Sequence, residues 1–263
     1  MPDSEPDIAP NSDTLIRSKL LASVGVCALF TTRLGGESHP PFDSFNLGHG
    51  IGDDEKAVAA NMQRLVGAAN LPSPPHQARQ EHGTGHLLCS GSGCVHDSAA
   101  DILIAQESGC PLAVRTADCL PILLADPVNR KIAAVHAGWR GTAARVVVRA
   151  VELMREEGAA IDCIRASLGP CIGPCCFEIG EEPAAALAAS ATHAARAISR
   201  SEKAYADLAA INAMQLHEAG VATAHIESLQ QCTCCHPELF FSYRRDGGSS
   251  GRHLAVVALG EAH

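Results

Sequence analysis

The sequence predicts an α+β fold, in which a layered sheet core is flanked by helices, and three observations lead to this class. The chain has 263 residues, which is enough to bury one large core. Strand-like apolar segments follow one another between residues 100 and 138, whereas helical patterns occur in separate stretches before and after them. Such grouping is typical of α+β layering rather than of a parallel sheet with alternating helices. We expect residues 14–263 to form a single domain.

The first 70 residues are predicted to contain a tail, a strand, a loop and a helix. Residues 1–13 are predicted to be a disordered tail, because Pro, Ser, Asp and Glu leave little to bury. Residues 25–33 form a predicted strand, and the long Gly/Pro-rich loop after it is expected to be functional or mobile. Residues 53–70 are predicted to be a helix, since acidic residues occupy the first turn and apolar residues recur at helical spacing.

The rest of the chain supplies the predicted core. Strand signals occur in "ADILIA", "PLAVRT", "PILLAD", "KIAAVHAG", "CIRASLGP" and the final "RHLAVVALG", and "QARQEHGTGHLLCSGSG" contains a short β-like segment. A helix is predicted over residues 141–158, with Thr142 as its N-cap and Gly158 at its end. Two Ala-rich helices are predicted over residues 183–199 and 203–220.

Composition excludes several classes of function. The formal net charge of -9 would repel a phosphate backbone, so no nucleic-acid partner is expected. No apolar run approaches the roughly 18 residues of a membrane span, so no membrane association is expected. The acidic, Pro-rich start does not resemble a signal peptide, which predicts a cytoplasmic protein. In that reducing compartment the 12 cysteines are expected to be thiols, most of them packed in the core.

One predicted hairpin brings a thiol and an imidazole together. "PILLAD" and "KIAAVH" flank "PVNR", which suits an antiparallel turn. Pairing Ala125 with Lys131 would place Leu120 opposite His136, with Cys119 beside that pair. Because neighbouring strands lie about 5 Å apart, the thiol and the imidazole could form a nucleophilic dyad or two of three ligands of a metal such as zinc. The simpler alternative is a buried thiol near an unrelated histidine.

A third ligand would favour the metal. His82 in "RQEHGTGH" is the best candidate, since no helical periodicity would bury it, but His76, His86 and His96 compete and spacing does not choose among them. Two histidines, one cysteine and a water would make four-coordinate catalytic zinc with one open position.

Candidates for anion binding and proton transfer lie beside the hairpin. The glycines of "HAGWRG" let the chain turn sharply into a helix, whose N-terminus could bind a phosphate with Arg140 as the charge partner. The alternative for Arg140 is an ordinary surface residue. Asp118 and Glu178 are candidate general acids, and Asp118 could instead brace the hairpin.

Two cysteine-rich segments are candidate pocket walls. "LGPCIGPCCFEIG" describes a rigid, irregular loop, and we expect Cys171, Cys175 and Cys176 to pack rather than bind metal. "CTCCHPELFFSYRRDGGSSGR" lacks a second CxxC or HxxxH pair at zinc-finger spacing, so no structural zinc site is predicted there. Its aromatic and arginine residues could stack on a planar ligand or plug a loop. These residues are Phe240, Phe241, Tyr243, Arg244 and Arg245.

Eight segments, spread from about residue 31 to residue 252, form a specific combination: "TTRLGGES", "FNLG", "GDD", "QEHG", "TADCLPILLAD", "HAGWRG", "GPCIGPCCFEIG" and "FFSYRRDGGSSGR". Together they resemble the YfiH/YlmD family, long labelled polyphenol oxidase or multicopper laccase-like and now associated with purine nucleoside phosphorylase activity. The resemblance implies a two-layered sheet core flanked by helices, the αββα-like fold called CNF1/YfiH-like.

The resemblance also implies a site. One metal, usually taken as zinc, would be held by His82, Cys119 and His136. Family members are described as cleaving adenosine, inosine and methylthioadenosine with phosphate, and as deaminating adenosine. Within the matching segments, we take Asn46, Cys171 and Arg244 as candidate substrate-binding residues and Cys119, His136, Asp118 and Arg140 as candidate catalytic residues. The sequence departs from the family pattern at Glu81, where an apolar residue is usual, and at Met62, where Arg is common.

The first hypothesis is a zinc-dependent catalytic domain that binds a purine nucleoside and phosphate, with a metal-activated water for deamination. The second is a metal-free thiol hydrolase with Cys119 as nucleophile and His136 as base. The third is a copper-dependent polyphenol oxidase, which is less favoured because the 13 histidines include no His-x-His pair. A non-catalytic, metal-stabilised binding module is the fourth. The sequence specifies no oligomeric state.

Overall fold

The computed structural model describes residues 14–260, so the predicted tail of residues 1–13 lies outside the described residues. The strands are β1 Leu15–Arg17, β2 Val26–Thr31, β3 Gln77–Arg79, β4 His86–Leu88, β5 Val95–Ala99, β6 Ile102–Ala105, β7 Leu112–Thr116, β8 Leu120–Asp126, β9 Lys131–Ala137, β10 Arg165–Leu168, β11 Glu178–Ile179, β12 Ile198–Arg200, β13 Ala204–Ala206, β14 Ile226–Ser228 and β15 His253–Leu259. The helices are α1 Lys19–Ala22, α2 Glu55–Ala69, α3 Trp139–Ala143, α4 Val146–Glu156, α5 Glu181–Ala188, α6 Leu208–Glu218 and α7 Tyr243–Asp246. Short 3₁₀ turns cover Ile161–Cys163, Ala194–Ala197 and Thr223–His225. Among these helices none combines the length and the apolar character needed to cross a bilayer.

Two sheets pack face to face between layers of helices, which confirms the predicted α+β fold. The four-stranded sheet has the order β1-β2-β15-β7, and the six-stranded sheet has the order β14-β10-β8-β9-β6-β4. Apolar side chains of β2, β7 and β15 pack against those of β6, β8 and β9 in a shared core. The outer face of the six-stranded sheet packs on α4 and α6, and that of the four-stranded sheet packs on α2. The layers therefore follow the order helix, sheet, sheet, helix.

Helix α2 confirms the helix predicted over residues 53–70. Asp54 is its N-cap and accepts the Lys56 N–H, and Asn70 ends it in the left-handed conformation with φ of 50°. The buried face carries Met62 and Leu65, which pack under the four-stranded sheet. Met62 therefore has a core role.

The predicted hairpin register is wrong by one residue. Pro121, rather than Leu120, is the partner of His136. The difference arises at the turn, where Asp126 stays in the ladder opposite Lys131 and leaves only residues 127–130 in the loop. A slip of one residue exchanges the faces of every side chain in a strand, so this turn decides which side chains reach the core.

The helix predicted over residues 141–158 is two helices, α3 and α4, and they are separated at Arg145, which has a φ of 60°. Thr142 is not an N-cap. It lies inside α3 and its hydroxyl accepts a hydrogen bond from the Asn212 side-chain amide at 2.9 Å, while its carbonyl accepts one from Gln215 at 2.8 Å. These two buried side-chain amides of α6 bind Thr142 at the point where a continuous helix over residues 141–158 would begin. Gly158, with a φ of +95°, follows the end of α4 as predicted.

The two Ala-rich helices are shorter than predicted. Helix α5 ends at Ala188 and α6 begins at Leu208, and residues between them form β12 and β13, which pair with each other; β13 also pairs with β11. Alanine is the strongest helix former, but intrinsic propensity is a weak determinant of structure, and the strand pairing overrides it here.

The side chain of Asp126 caps the β8–β9 turn. Its carboxylate accepts the Val128 N–H at 3.0 Å, the Asn129 N–H at 2.9 Å and the Ala160 N–H at 2.8 Å. Burial alone would raise the pKa of Asp126, but the hydrogen bonds from Asn129, Ala160 and Val128 outweigh it and hold the pKa below its ordinary value. The ionised carboxylate therefore stabilises the fold.

We expect Asp126→Ala to lower the free energy of unfolding by on the order of 2–4 kcal/mol, because three backbone donors lose a charged acceptor. Because the pKa is lowered in the folded state, the contribution of Asp126 should be present above a pH of about 4 and disappear as the pH falls below it. Urea unfolding of both proteins between neutral and acidic pH measures the difference. Val128→Ala, at a side chain that is 70% exposed in the same loop, is the control and should change little. Equal effects of the two substitutions would contradict the role of the carboxylate.

Candidate metal centre

Three side chains that could hold a metal ion meet at one end of the β8–β9 hairpin. Cys119 directly precedes β8, His136 is the penultimate residue of β9, and His82 lies in the loop between β3 and β4. Their ligand atoms all lie within 4.8 Å of one another. The imidazole rings of His82 and His136 lie edge to face with centroids 4.8 Å apart. Two nitrogens and one sulfur form a donor set that suits a borderline-soft divalent ion.

The carboxylate of Asp101 organises this group. Its Oδ1 accepts from His136 Nδ1 at 2.8 Å and from the His82 N–H at 3.0 Å, and its Oδ2 accepts the N–H groups of Gly83 at 2.8 Å and Glu81 at 3.2 Å. Three successive amides therefore point at one side chain, and the chain turns there with a φ of 61° at His82. Because Nδ1 of His136 is occupied, its Nε2 is the nitrogen left for a ligand role.

The charges in this group favour a thiolate. Burial would raise the pKa of Asp101, but the hydrogen bonds from His136 and Gly83 outweigh it, so the carboxyl stays ionised. Burial also opposes ionisation of Cys119, yet the neighbouring His136 and His82 lower the pKa of its thiol. For His136 burial lowers the pKa, and the neighbouring Cys119 and Asp101 raise it above the ordinary value. The thiolate is the form of cysteine that binds metals and attacks electrophiles.

Gly138 lets the backbone approach the three side chains. A Cβ atom at this position would lie 2.8 Å from the His82 ring and 3.1 Å from Cys119 Sγ. Any larger residue would therefore displace two of the three candidate ligands. This contact gives a physical reason for the first glycine of "HAGWRG".

The three side chains line a cavity of about 590 Å³. Ile172, Phe177 and Tyr243 form an apolar part of its wall, and the Tyr243 side chain is 55% exposed. Arg115 and Arg252 form a cationic part. The cavity thus combines an apolar surface with concentrated positive charge above the candidate metal ligands.

Arg115 and Arg252 are half-buried guanidinium groups without a carboxylate partner within 4 Å, among residues 14–260. Arg115 Nη2 donates to the Ala78 carbonyl at 3.0 Å, and Arg252 Nη1 donates to the Gly251 carbonyl at 3.0 Å. Burial and the charge of Arg252 lower the pKa of Arg115, and burial lowers that of Arg252. Two like charges that face one cavity attract an anion.

Asp118 and Arg244, both singled out from the sequence, line the same cavity. Asp118 has a φ of 92°, and its two carboxylate oxygens accept the Thr233 hydroxyl at 2.6 Å and the Arg244 N–H at 2.7 Å. Arg244 in turn donates to the carbonyl groups of Cys176 at 3.3 Å and Glu178 at 3.1 Å. Asp118 therefore connects the start of the hairpin to the segment that carries Tyr243.

Four other candidate residues lie outside the cavity lining. Asn46 is buried beneath it, where its Oδ1 accepts the N–H groups of Gly48 at 2.9 Å and Arg252 at 2.8 Å. Cys171 is buried in the core. Arg140 is exposed and stacks over the Trp139 ring at 4.4 Å. The side chain of Glu178 forms a surface ion pair with Lys203.

The aromatic and arginine residues from Phe240 to Arg245 were predicted either to plug a loop or to contact a planar ligand, and the structure divides them into a buried group and a group at the cavity. Phe240 and Phe241 are fully buried and plug the core, and Arg245 Nη2 donates to the Phe240 carbonyl at 2.8 Å. Tyr243 and Arg244 face the cavity instead.

The competing histidines lie apart from His82. His76 and His96 form a separate group with Cys94, in which His76 Nδ1 lies 2.9 Å from His96 Nε2. His86 is exposed on β4.

Asp101, Arg115 and Arg252 were not predicted from the sequence as site residues. One feature of the sequence could have indicated Asp101, namely that it is an acidic residue at the start of the apolar run "ADILIA". In the structure Asp101 lies beside His136 in the β6–β9 pairing. Arg115 and Arg252 come from neighbouring strands of the other sheet, since His253 pairs with Thr116. Their proximity depends on a pairing between segments more than 130 residues apart, which spacing alone does not reveal.

Comparison with known proteins gives consistent matches. A sequence profile of the family described as multi-copper polyphenol oxidoreductase laccase matches residues 27–260. "Purine nucleoside phosphorylase YfiH" of Escherichia coli K12 is 40% identical over 236 residues, which cover 89% of this chain and 94% of that protein. "Purine nucleoside phosphorylase YlmD" of Geobacillus stearothermophilus is 36% identical over 248 residues, which cover 89% and 90%.

Solved structures match over nearly the whole chain. The crystal structure of YlmD from Geobacillus stearothermophilus superposes with a TM-score of 0.88 at 32% identity and covers 97% of this chain and 100% of that one. The crystal structure of the Bacillus licheniformis hypothetical protein YfiH also gives a TM-score of 0.88, at 28% identity, and covers 95% and 98%. The resemblance found in the sequence motifs is therefore confirmed.

Proposed function

The chain belongs to the multi-copper polyphenol oxidoreductase laccase family, and we propose that it is a zinc-dependent purine nucleoside phosphorylase. Curated relatives at 36–40% identity carry the name purine nucleoside phosphorylase, which supports this activity. The observation that carries the proposal is one cavity lined by His82, Cys119 and His136 and by Arg115 and Arg252, two guanidinium groups that have no carboxylate within 4 Å in the described part of the chain. Such a cavity can hold a divalent metal and an oxyanion side by side.

The three side chains fit zinc. Two imidazoles and one thiolate would hold the ion, and Asp101 would orient His136 as carboxylates do in zinc sites. Blue-copper sites use the same donor set but add a weak ligand, usually methionine or glutamine. No methionine lines the cavity among the described residues, and both polar side-chain atoms of Gln80 are bound to the main chain of Arg115. Zinc at this site would supply a Lewis acid that polarises an oxygen of the reactant.

We assign phosphate to Arg115 and Arg252. Guanidinium groups bind phosphate oxygens through paired N–H donors, and their mutual repulsion would be relieved by a bound dianion. Asn46 fixes the backbone of Arg252 and of Gly48, and the Gln80 side chain accepts the Arg115 N–H at 2.8 Å. Asn46 thereby acts as a positioning residue. We prefer these arginines to Arg140, which lies outside the cavity lining.

The apolar wall suits the purine base. Tyr243 and Phe177 can cover a planar ring, and the ribose would then lie between the base and the arginines. Phosphorolysis forms a bond between an oxygen of hydrogen phosphate and C1′ of the ribose while the bond from C1′ to N9 breaks; the base leaves with the electron pair of that bond and takes up the proton that the phosphate loses. The arginines would hold the attacking phosphate oxygen in line with the bond from C1′ to N9. Fixing the two reactants in this orientation lowers the entropic cost of reaching the transition state. Both carboxylate oxygens of Asp118 are engaged, so we assign it a positioning role as well.

Two further activities share this pocket. Adenosine deamination would use the same base site, and it stays a prediction from the family resemblance. A metal-free thiol enzyme is favoured by one observation, the lowered pKa of Cys119 beside His136. None of the 12 cysteines, all of which lie in the described residues, forms a disulfide, and this supports the cytoplasmic location that we propose.

The deciding experiment is incubation with adenosine, inosine or methylthioadenosine, each with and without phosphate, followed by separation of the products. We expect free base and ribose phosphate only when phosphate is present. Inosine formed from adenosine without phosphate would establish deamination. Rapid alkylation of Cys119 in metal-free protein that hydrolyses thioesters or amides would favour the thiol enzyme. Absence of all purine products from metal-loaded protein would refute the proposal.

We expect Asp101→Asn to weaken metal binding by about 10- to 100-fold, because the amide cannot hold both His136 and the amides of the 81–83 turn. Competition with a chromogenic chelator measures the affinity, and phosphorolysis at saturating zinc shows how much activity returns. Asp97→Asn, at an exposed residue of β5, is the matched control and should keep the affinity of the wild type. Unchanged affinity in Asp101→Asn would contradict the orienting role.

We expect Arg252→Met to raise the KM for phosphate by about 10- to 100-fold, because hydrogen bonds to a charged group contribute about 1.5–3 kcal/mol. The KM for the nucleoside should change much less. Steady-state kinetics with each substrate varied in turn measures both. Arg149→Met, at a half-buried residue of α4 that pairs with Glu156 and lies outside the cavity lining, is the control. If the KM for phosphate rose in Arg140→Met and not in Arg252→Met, the assignment to Arg252 would be wrong and phosphate would bind at α3 instead.

A further inference from the structure

A second cluster of sulfur atoms lies where two loops meet. The Sγ atoms of Cys175, Cys176, Cys232 and Cys235 all lie within 4.8 Å of one another. Cys235 Sγ is 3.4 Å from both Cys175 Sγ and Cys176 Sγ. Cys175 and Cys176 were predicted from the sequence to pack rather than to bind metal, and the CxxC of "CTCC" was predicted to have no second pair at zinc-finger spacing. The structure places the two pairs together although more than 50 residues separate them.

The sheet places these loops side by side. Strands β10 and β14 are neighbouring parallel strands, with Ala166 paired to Ile226, so the segments that follow them leave the same end of the sheet. A bridge between Cys171 and Cys232 continues this pairing beyond the strands, and the Thr233 N–H donates to the Cys171 carbonyl at 3.0 Å. The cluster is therefore fixed by main-chain pairing.

Hydrogen-bond donors and cations lie close to the cluster. The Gly173 N–H donates to Cys232 Sγ at 3.2 Å, and a Cβ atom at Gly173 would lie only 3.3 Å from Cys175 Sγ. Two guanidinium groups flank the loops, since Arg244 donates to the Cys176 carbonyl at 3.3 Å and Arg245 donates to the Thr233 carbonyl at 2.9 Å. Amide donors to sulfur and nearby cations both stabilise negative charge on thiolate ligands.

We propose that Cys175, Cys176, Cys232 and Cys235 form a second, structural zinc site. Four Zn–S bonds of about 2.3 Å in a tetrahedron place the sulfurs about 3.8 Å apart, which lies between the distances of 3.4 Å and 4.8 Å given for this cluster. Four thiolates leave no open position, so this ion would not bind substrate. A disulfide would join only two of the four sulfurs, and the reducing compartment expected for this protein disfavours it.

The site would stiffen one wall of the cavity. The first loop carries Ile172 and Phe177, and the second leads to Tyr243 and Arg244, all of which line the cavity. A zinc ion between the loops would therefore fix both sides of the apolar wall from outside the reaction site. This second site does not depend on the reaction proposed above.

The test is the zinc content of the full chain, purified without chelators and measured by elemental and native mass spectrometry. We expect two zinc ions per chain in the wild type and one in Cys235→Ser or Cys176→Ser. Cys234→Ser is the matched control, because Cys234 adjoins Cys235 but does not belong to the cluster, and it should keep both ions. His82→Ala should lose the other ion and keep the one bound by the four cysteines.

Cobalt gives a readout that does not depend on a cysteine variant folding. Co²⁺-loaded His82→Ala should keep strong thiolate-to-cobalt absorption from a tetrahedral four-sulfur site, several times more intense than a single cysteine ligand gives. One zinc per wild-type chain that disappears in His82→Ala would overturn the proposal. So would a metal-free cluster with a mass lower by two hydrogens, which indicates a disulfide, or equal zinc loss in Cys234→Ser and Cys235→Ser.

Discussion

Four hydrogen bonds to the buried carboxylate of Asp101 hold the candidate metal centre together. They join β6, β9 and the loop that carries His82, which are otherwise separate parts of the fold. A carboxylate is costly to bury, and these donors offset that cost while keeping it ionised. Its charge then favours a protonated or metal-bound His136, and His136 favours a thiolate at Cys119. Geometry and charge at the site thus follow from one side chain.

The sequence predicted those parts of the fold in which pattern and packing agree. The apolar runs around residues 100–138 became the central strands, and the hairpin of Cys119 and His136 was predicted to within one residue. The helix prediction for the Ala-rich segment was too long, because the helix propensity of alanine is overridden where β12 and β13 pair with each other. Asp101, Arg115 and Arg252 were missed because strands distant in sequence bring them to the site.

The family description and the names of the relatives imply different chemistry, an oxidation of phenols and a phosphorolysis. The residues that line the cavity favour one of these two reactions. A phenol needs no pair of unpaired guanidinium groups, whereas phosphate does, and Arg115 and Arg252 face the cavity with no carboxylate partner within 4 Å among residues 14–260. The candidate metal ligands lie at the ends of strands of the six-stranded sheet and in its loops, and the two arginines lie at the ends of neighbouring strands of the four-stranded sheet. The candidate site therefore lies where the two sheets of the core meet.

The most direct measurement of the central claim is anomalous diffraction at the zinc absorption edge from crystals of the full chain grown with zinc. The account predicts a peak within bonding distance of His82, of Cys119 Sγ and of His136 Nε2, with Asp101 still bound to His136 Nδ1. A cavity without a peak at this position, or a peak that leaves out His82 or Cys119, would contradict it.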